Sequence, residues 1–465
     1  MLLYVLITLY AILAFSIIIS LLLNGVRPSK TLAWLLAIFT IPVGGMLLYL
    51  LVGRNRRKQK GYFKSARIPV SENLPENLTS KFSPESLQIQ ALITTGAGYA
   101  TTKDNTVKLL KDGKVTFDTI FKVLEGAQKT IHLQYYIFEE GELAERLLAL
   151  FIQKEAQGVE VRLIYDGIGS YSLSRSYLKK LKKAGIEPYS FLPFRLGKSI
   201  SSINYRNHRK IIVVDGAIAF TGGINISDKY LKGDPALGMW HDMHLMLEGE
   251  AAWHLDTVFI NDWEKVSGIR LPLPEKLSIQ NRGESLVQIL ATGPDDHFPL
   301  MEQMYFSMIT GARKHVYITN PYLIPSPAIQ TALHTAALSG VDVRLLVSAQ
   351  ADSQLVSWCV QSYFQRFLMA GIKIYRYPEG FLHSKIITTD DCMATVGTAN
   401  VDDRSFQHNY EVNAILYDSD LARRLREDFL SDSSKSELLE LKSFINRPWH
   451  VKLAEGAART ISPLL

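Results

Sequence analysis

Cysteine is almost absent from this 465-residue chain: only Cys359 and Cys392 occur, neither at metal-ligand spacing from another cysteine. That scarcity excludes a framework of several disulfides, and two isolated thiols in apolar or β-like surroundings read as small buried side chains of a reducing compartment. His132, His241, His244, His254, His297, His315, His334 and His408 form no His/Cys/Asp cluster at zinc spacing, so they read as structural and neither metal nor other cofactor is expected. Charge is missing from one place altogether, since no Asp, Glu, Lys or Arg precedes Arg27.

Residues 2–23 are an unbroken uncharged apolar run, and roughly 20 such residues cross a bilayer core. Residues 31–53 form a second run interrupted by Pro42, Gly44 and Gly45, which a packed partner helix tolerates. A transmembrane hairpin over residues 1–60 is expected. A cleaved signal peptide fits poorly, because the first run is too long, no basic residue precedes it and a second run follows. Arg54, Arg56, Arg57, Lys58 and Lys60 follow the hairpin, while its short connection holds only Arg27 and Lys30. The bias places the larger part on the cytoplasmic side of the cell's inner membrane. Lys64 and Arg67 extend the basic run, which reads equally as a contact for anionic headgroups or as a solvated topology signal.

Composition elsewhere is that of an ordinary folded protein, 47% hydrophobic and 21% charged, so the positive mean hydropathy reflects the N-terminus. The length exceeds what one core holds, which implies two domains or more. A net charge of +6 suits an anionic partner, nucleic acid or acidic membrane, without choosing between them.

After a polar linker over residues 61–100 the chain repeats itself. Residues 126–138, 158–170 and 184–191 (GAQKTIHLQYYIF, GVEVRLIYDGIGS, AGIEPYSF) match residues 311–324, 340–350 and 370–377 (GARKHVYITNPYLI, GVDVRLLVSAQ, AGIKIYRY). Short runs rich in Val, Ile and Tyr alternate with helix-length segments at 141–157 and 326–339, which predicts βαβ units. The fold class expected is α/β: two pseudo-twofold domains, 101–275 and 276–445, each a mixed sheet flanked by helices, with a site at their interface.

Each half next carries one constellation. NHRKIIVVDGAIAFTGGINISD contains His208, Lys210, Asp215, Gly222, Gly223 and Asn225; LHSKIITTDDCMATVGTAN contains His383, Lys385, Asp390, Gly397, Thr398 and Asn400 at matching spacings. On a strand, each His and Lys two apart share a face. Imidazole supplies a nucleophile or proton carrier near neutral pH, and lysine a fixed positive charge for a phosphoryl oxygen. One His-x-Lys pair would mean little; the twofold recurrence is specific.

These residues reproduce the double His-x-Lys-x-x-x-x-Asp signature of the phospholipase D superfamily. The hairpin, NTVKLLKDG at 105–113, YYIF at 135–138 and the terminal SPLL further resemble bacterial cardiolipin synthases over nearly the whole chain. The resemblance implies metal-free phosphatidyl transfer between two phosphatidylglycerol molecules, with glycerol released. It implies that His208 attacks phosphorus while His383 protonates the leaving group, or the reverse, and that Lys210, Lys385, Asn225 and Asn400 hold the nonbridging oxygens. Asp242 and Glu411 resemble the family's histidine-orienting acids, and Asp242 is expected beside His208, Glu411 beside His383. Asp215 and Asp390 belong to the catalytic motif, although their place at strand ends suits a brace for the local fold. The family's Gly-Ser is Gly222-Gly223 in the first half, which leaves Thr398 as the one hydroxyl candidate for phosphate binding.

Three features stay open. Arg404 either grips the acceptor's phosphate or pairs with Asp402 or Asp403. The basic run 179–183 is either a solvated face or a headgroup contact. Over residues 446–465, Trp449, Leu453, Ala457 and Ile461 recur every four residues, an amphipathic helix that either packs on the body or lies in a membrane interface. Hydrolysis by a membrane phospholipase D or nuclease is the alternative chemistry, and a lipid-binding scaffold the alternative without chemistry. The hairpin disfavours the nuclease, so no nucleic-acid partner is expected.

Overall fold

A computed structural model describes residues 1–23, 28–49, 82–193, 204–273 and 283–462. The basic run 54–67, most of the expected linker and the terminal Pro-Leu-Leu lie outside the described residues. The chain divides into two compact units, Met1–Tyr62 with Phe194–Asn204, and Phe63–Pro193 with Tyr205–Leu465.

In the first unit the uncharged run forms one helix, Leu2–Leu23. It packs on the helices Pro28–Thr40 and Pro42–Leu48 through Ala14, Ile17 and Leu21 against Ile38, Met46 and Tyr49. The second run is therefore two short helices rather than one long span. The break falls at Ile41, whose φ of −127° and ψ of 76° leave the helical region just ahead of Pro42, which has no amide hydrogen to continue the ladder. Gly45 is needed there, because a Cβ would meet the Ala37 carbonyl oxygen at 2.1 Å. Counting described residues only, no helix is long and apolar enough to cross a membrane.

The second unit is built on one mixed sheet of 16 strands among the described residues. Seven strands of the first half run in the order Thr101–Lys111, Met243–Glu248, Ile218–Gly222, Ile211–Val214, Thr130–Tyr135, Glu160–Asp166 and Glu187–Phe191. The second half repeats that order with Ser285–Thr292, Asn409–Tyr417, Met393–Gly397, Ile386–Thr389, His315–Thr319, Asp342–Ser348 and Lys373–Tyr377. The repeats seen in the sequence thus become equivalent strands. Their leading strands pair antiparallel, Thr101 opposite Gln288, and fuse the two sheets edge to edge.

The central parallel strand of each half, Thr130–Tyr135 and His315–Thr319, is buried on both faces. Each half has its own core under helices such as Glu142–Ala156 and Pro327–Leu338. A third cluster joins Ile211, Val213 and Leu245 to Val287, Ile386 and Val412, so the halves share buried surface. The expected linker is partly folded. Residues Pro84–Ala97 form a helix capped by the Ser83 hydroxyl, which accepts from the Ser86 amide at 3.2 Å, and Ile89 and Ile93 enter the second half's core.

Candidate active site

The two motif segments occupy equivalent breaks in the sheet. The short strand Arg206–Asn207 pairs in parallel with Asn409–Tyr410 of the other half, and the chain rejoins its own sheet at Ile211. Likewise Phe381–Leu382 pairs in parallel with Trp240–His241, and the chain rejoins its own half at Ile386. His208 to Lys210 and His383 to Lys385 therefore lie between strands, where the backbone changes partner, and not within a strand as their spacing suggests. Each lysine bends back instead: Lys210 Nζ donates to the His208 carbonyl at 2.8 Å, and Lys385 Nζ to that of His383.

This change of partner exchanges the carboxylates. The His208 amide donates to the Tyr410 carbonyl at 2.9 Å, which brings the ring alongside Glu411, and Nδ1 lies 2.9 Å from Oε2. The His383 amide donates to the His241 carbonyl at 2.8 Å, and its Nδ1 lies 2.7 Å from Asp242 Oδ2. The expected pairing of Asp242 with His208 and Glu411 with His383 is corrected: each histidine takes its acid from the opposite half. With Nδ1 engaged, Nε2 is the nitrogen left for chemistry.

The two carboxylates are held differently. Glu411 also accepts from the Thr398 hydroxyl and from Asn409 Nδ2 at 3.1 Å. Thr398, expected to bind phosphate, is thus spent on Glu411, and its oxygen accepts from the Val412 amide at 2.9 Å. The first half has no room for such a hydroxyl, because a Cβ at Gly223 would meet Asp242 Oδ1 at 2.1 Å. The Tyr230 hydroxyl stands in, 3.4 Å from Asp242 Oδ2 and 3.2 Å from His383 Nδ1. Burial pushes the Glu411 carboxyl up, but His208, Lys210 and Thr398 hold it below the ordinary value. Burial lifts Asp242 to about 7 against the pull of Lys385 and Lys210.

Both imidazoles are buried, which disfavours their charged forms. Burial, with the charges of Lys210 and Lys385, takes His208 down to about 4 despite Glu411, and His383 goes well below its ordinary value for similar reasons. Burial lowers Lys210 to about 7 and Lys385 to about 8. An incoming phosphate would reverse these shifts by supplying negative charge beside all four groups. Tyr136 meets the His208 ring edge-on at 4.8 Å, and Trp240 and Phe381 flank His383 at 5.1 and 5.8 Å, so aromatic walls enclose both rings.

Of the asparagines, Asn225 Oδ1 accepts from the Ile137 amide at 3.2 Å and its Nδ2 lies 3.4 Å from the Tyr230 oxygen. Asn400 Oδ1 is buried and has no partner among the described residues. Asp215 and Asp390, grouped with the catalytic set by the motif, are committed elsewhere. Asp215 accepts three amides, Gln128 to Thr130, and Asp390 three, Arg313 to His315, at 2.7–2.8 Å. A four-residue strand, roughly 13 Å long, separates each from its lysine. Both hold the left-handed turn of their hairpin, at φ of 53°. Asp402 caps the short helix Asp403–Gln407, its carboxylate accepting from the Ser405 amide at 2.6 Å.

Sequence reasoning missed Tyr230, Asn409 and His241, which belong to no repeated motif, and Tyr136, which lies in a repeated segment that reads only as a strand. His241 was set aside as structural, yet it stands between the halves: Nδ1 is 2.6 Å from Asp112, Nε2 is 2.8 Å from Asp432, and its ring stacks on Tyr377. Among the described residues no group of His, Cys, Asp and Glu is arranged to hold a metal ion.

Comparison with known proteins places the chain among relatives. Residues 120–263 and 305–433 match the family model described as cardiolipin synthase, PLD-like domain, and residues 9–54 match a phospholipase D-nuclease N-terminal model. The chain is 41% identical to a cardiolipin synthase of Geobacillus kaustophilus over 453 residues, covering 95% of this chain and 90% of the relative. It is 39% identical to cardiolipin synthase 2 of Bacillus anthracis over 467 residues, 98% of this chain and 91% of the relative. Among solved structures, the phosphatidylserine synthase of Haemophilus influenzae superposes with a TM-score of 0.59 at 14% identity, covering 77% of this chain and 95% of that one, which shows a shared fold.

Proposed function

The chain belongs to the cardiolipin synthase family of phospholipase D-like proteins, and from that premise we propose a two-step phosphatidyl transfer run by the exchanged His–carboxylate pairs. The enzyme is a phosphatidyltransferase that makes cardiolipin, and phosphatidylglycerol is its phospholipid substrate. His208 Nε2 attacks the donor's phosphorus, the P–O bond to the terminal glycerol breaks, and His383 gives that oxygen its proton. His383 then takes the proton of a glycerol hydroxyl on a second phosphatidylglycerol. That oxygen attacks the phosphatidyl-histidine, the P–N bond breaks and cardiolipin leaves. Lys210 and Lys385, with Asn225 and Asn400, steady the nonbridging oxygens.

The observation that carries this assignment is the unequal support of the two acids. Glu411 accepts from His208, Thr398 and Asn409 and stays ionised, which suits stabilising a positively charged phosphohistidine. Asp242, lifted toward neutrality, suits an imidazole that passes a proton back and forth.

The uncharged run over residues 2–23, with the basic residues that follow the second run, supports placing the enzyme at the cytoplasmic membrane with its catalytic halves facing inward. Labelling of a cysteine introduced near Gly61 by an impermeant reagent in inside-out, and not right-side-out, vesicles checks that orientation. The chemistry is tested with the full chain and phosphatidylglycerol vesicles, products resolved by mass. Cardiolipin and glycerol in equal amounts, abolished in His208→Ala and His383→Ala, are expected. Phosphatidic acid as main product would replace transfer with hydrolysis, and full activity in His383→Ala would remove the two-histidine scheme.

A further inference from the structure

The C-terminal helix Trp449–Thr460 turns its expected apolar face outward. Glu455 and Ala458 are its buried residues, and Val451 and Ala454 are half-buried on the same side. Trp449 is 75% exposed, Leu453 63% and Ile461 37%, with Ala457 exposed between them. Small side chains thus dock the helix on the body, and the large apolar ones form an open stripe about 18 Å long at the helical rise. The internal alternative left by the sequence, packing of that stripe on the body, is not what the fold adopts.

The inward attachment is specific. Glu455 pairs with the Arg447 guanidinium, Oε2 at 2.9 Å, and Arg447 also reaches Gln361 of the helix Gln354–Met369. A carboxylate paired this way fixes the helix's rotation, so the stripe cannot roll inward without breaking a largely buried ion pair.

Charge indicates the occupant. The exposed ionised groups on the helix are Lys452 and Arg459, both basic, and its one acid, Glu455, is turned inward. Lys452 also donates to the carbonyl of Ile445, a further exposed apolar residue that extends the patch. An indole at one end, aliphatic side chains along the stripe and cations along its flank match the layers of an anionic bilayer interface.

We propose that the outward face of Trp449–Thr460, centred on Trp449, Leu453 and Ile461, docks in the plane of an anionic phospholipid bilayer. The surface rests on the reading of the substrate as a membrane phospholipid, and gives the catalytic body its own hold on the surface that supplies it. Gln361, bonded to the helix's anchor, also lines a cleft with Tyr322 and Phe381, and Phe381 flanks His383.

The test uses the full chain in vesicles of phosphatidylglycerol and phosphatidylcholine, with a bimane reporter on Leu453→Cys and, for comparison, on exposed Gln157→Cys. Quenchers carried on the lipid acyl chains are expected to dim the 453 reporter at least about threefold more than the 157 reporter, the more so with phosphatidylglycerol present. The triple variant W449S/L453S/I461S is expected to lose about tenfold activity on vesicles and to keep its rate on monomeric short-chain phosphatidylglycerol. Quenching at 453 by aqueous iodide and not by lipid overturns the proposal. Shielding from both quenchers assigns the face to a second copy or another protein and also overturns it. Lipid quenching at 453 in an enzyme that makes no cardiolipin upholds the docking surface while removing the substrate reading beneath it.

Discussion

The two histidines do the same local thing, each offering Nδ1 to a buried acid, and differ in how firmly that acid is ionised. Glu411→Gln removes an anion supported by Thr398 and Asn409 and leaves His208 beside a group that cannot balance its positive charge. Its kcat is expected to fall by roughly 10²–10⁴-fold, with trapped phosphatidyl-enzyme reduced in proportion. Asp242→Asn is expected to slow turnover comparably while letting the covalent intermediate accumulate, because in the proposed scheme acceptor deprotonation uses His383 as the base. Rapid quench and intact mass separate the two outcomes.

The lysines give a pH signature at the same scale. Lys210 is lowered to about 7 and Lys385 to about 8, so each is a cation below its value and loses that charge as pH rises through it. For kcat/KM, which reports the free enzyme, the expected alkaline limb lies between about pH 7 and 8. For kcat it shifts upward, since bound phosphate restores both charges. Coincident limbs in the two profiles would exclude these lysines as the groups responsible.

At the scale of elements, the two-residue strands Arg206–Asn207 and Trp240–His241 set the site, and their shortness explains why pattern reading passed them by. Period-two alternation needs more residues than either contains. The motif hairpins were legible, because long runs such as Ile211–Val214 announce themselves and Asp215 at a tight turn is a local signal. The N-terminal half of the expected linker lies outside the described residues, whereas Pro84–Ala97 is a helix whose Ser83 cap and buried Ile89 and Ile93 were readable but overlooked in a polar stretch.

His241 locks one of these short strands. Burial pushes its imidazolium down, but Asp112 and Asp432 outweigh it and take it up to about 9; Lys111 stands behind Asp432, and Tyr377 covers the ring. A folded value above the unfolded ~6.5 means the contribution is complete below pH ~6.5 and lost as pH rises through about 9. The size is on the order of 1–3 kcal/mol. His241→Gln is expected to be less stable than the parent at pH 6 by that amount, and close to it at pH 10, in urea denaturation of the detergent-solubilised protein. Equal stability gaps at both values would deny the imidazolium its role.

At the scale of the molecule, the halves are separate in sequence and inseparable in chemistry. Each supplies the acid for the other's histidine, and the cluster uniting Val213 and Leu245 with Val412 and Ile386 buries apolar surface from both. Residues 1–275 and 276–465 expressed apart are expected to show no transfer activity. Expressed together they are expected to recover a measurable fraction, and His208→Ala in one fragment with His383→Ala in the other should abolish it. Activity from a single fragment would show that a within-half pair suffices.

The sequence by itself determined the doubled α/β body and the kind of reaction, and singled out the two His-Lys pairs that the fold gathers, because motif spacing and strand patterning are local properties that a repeat prints twice. It could not determine which acid serves which histidine. Asp242 and Glu411 follow their own motifs at comparable places, and in a pseudo-symmetric chain that placement is compatible with the within-half and the between-half pairing alike. Only the tertiary structure decides, by pairing Arg206–Asn207 with Asn409–Tyr410 and Phe381–Leu382 with Trp240–His241. The same holds for Thr398 and for the stripe of Trp449, Leu453 and Ile461: a residue type states what a side chain can do, and its neighbours in space decide which of those things it does.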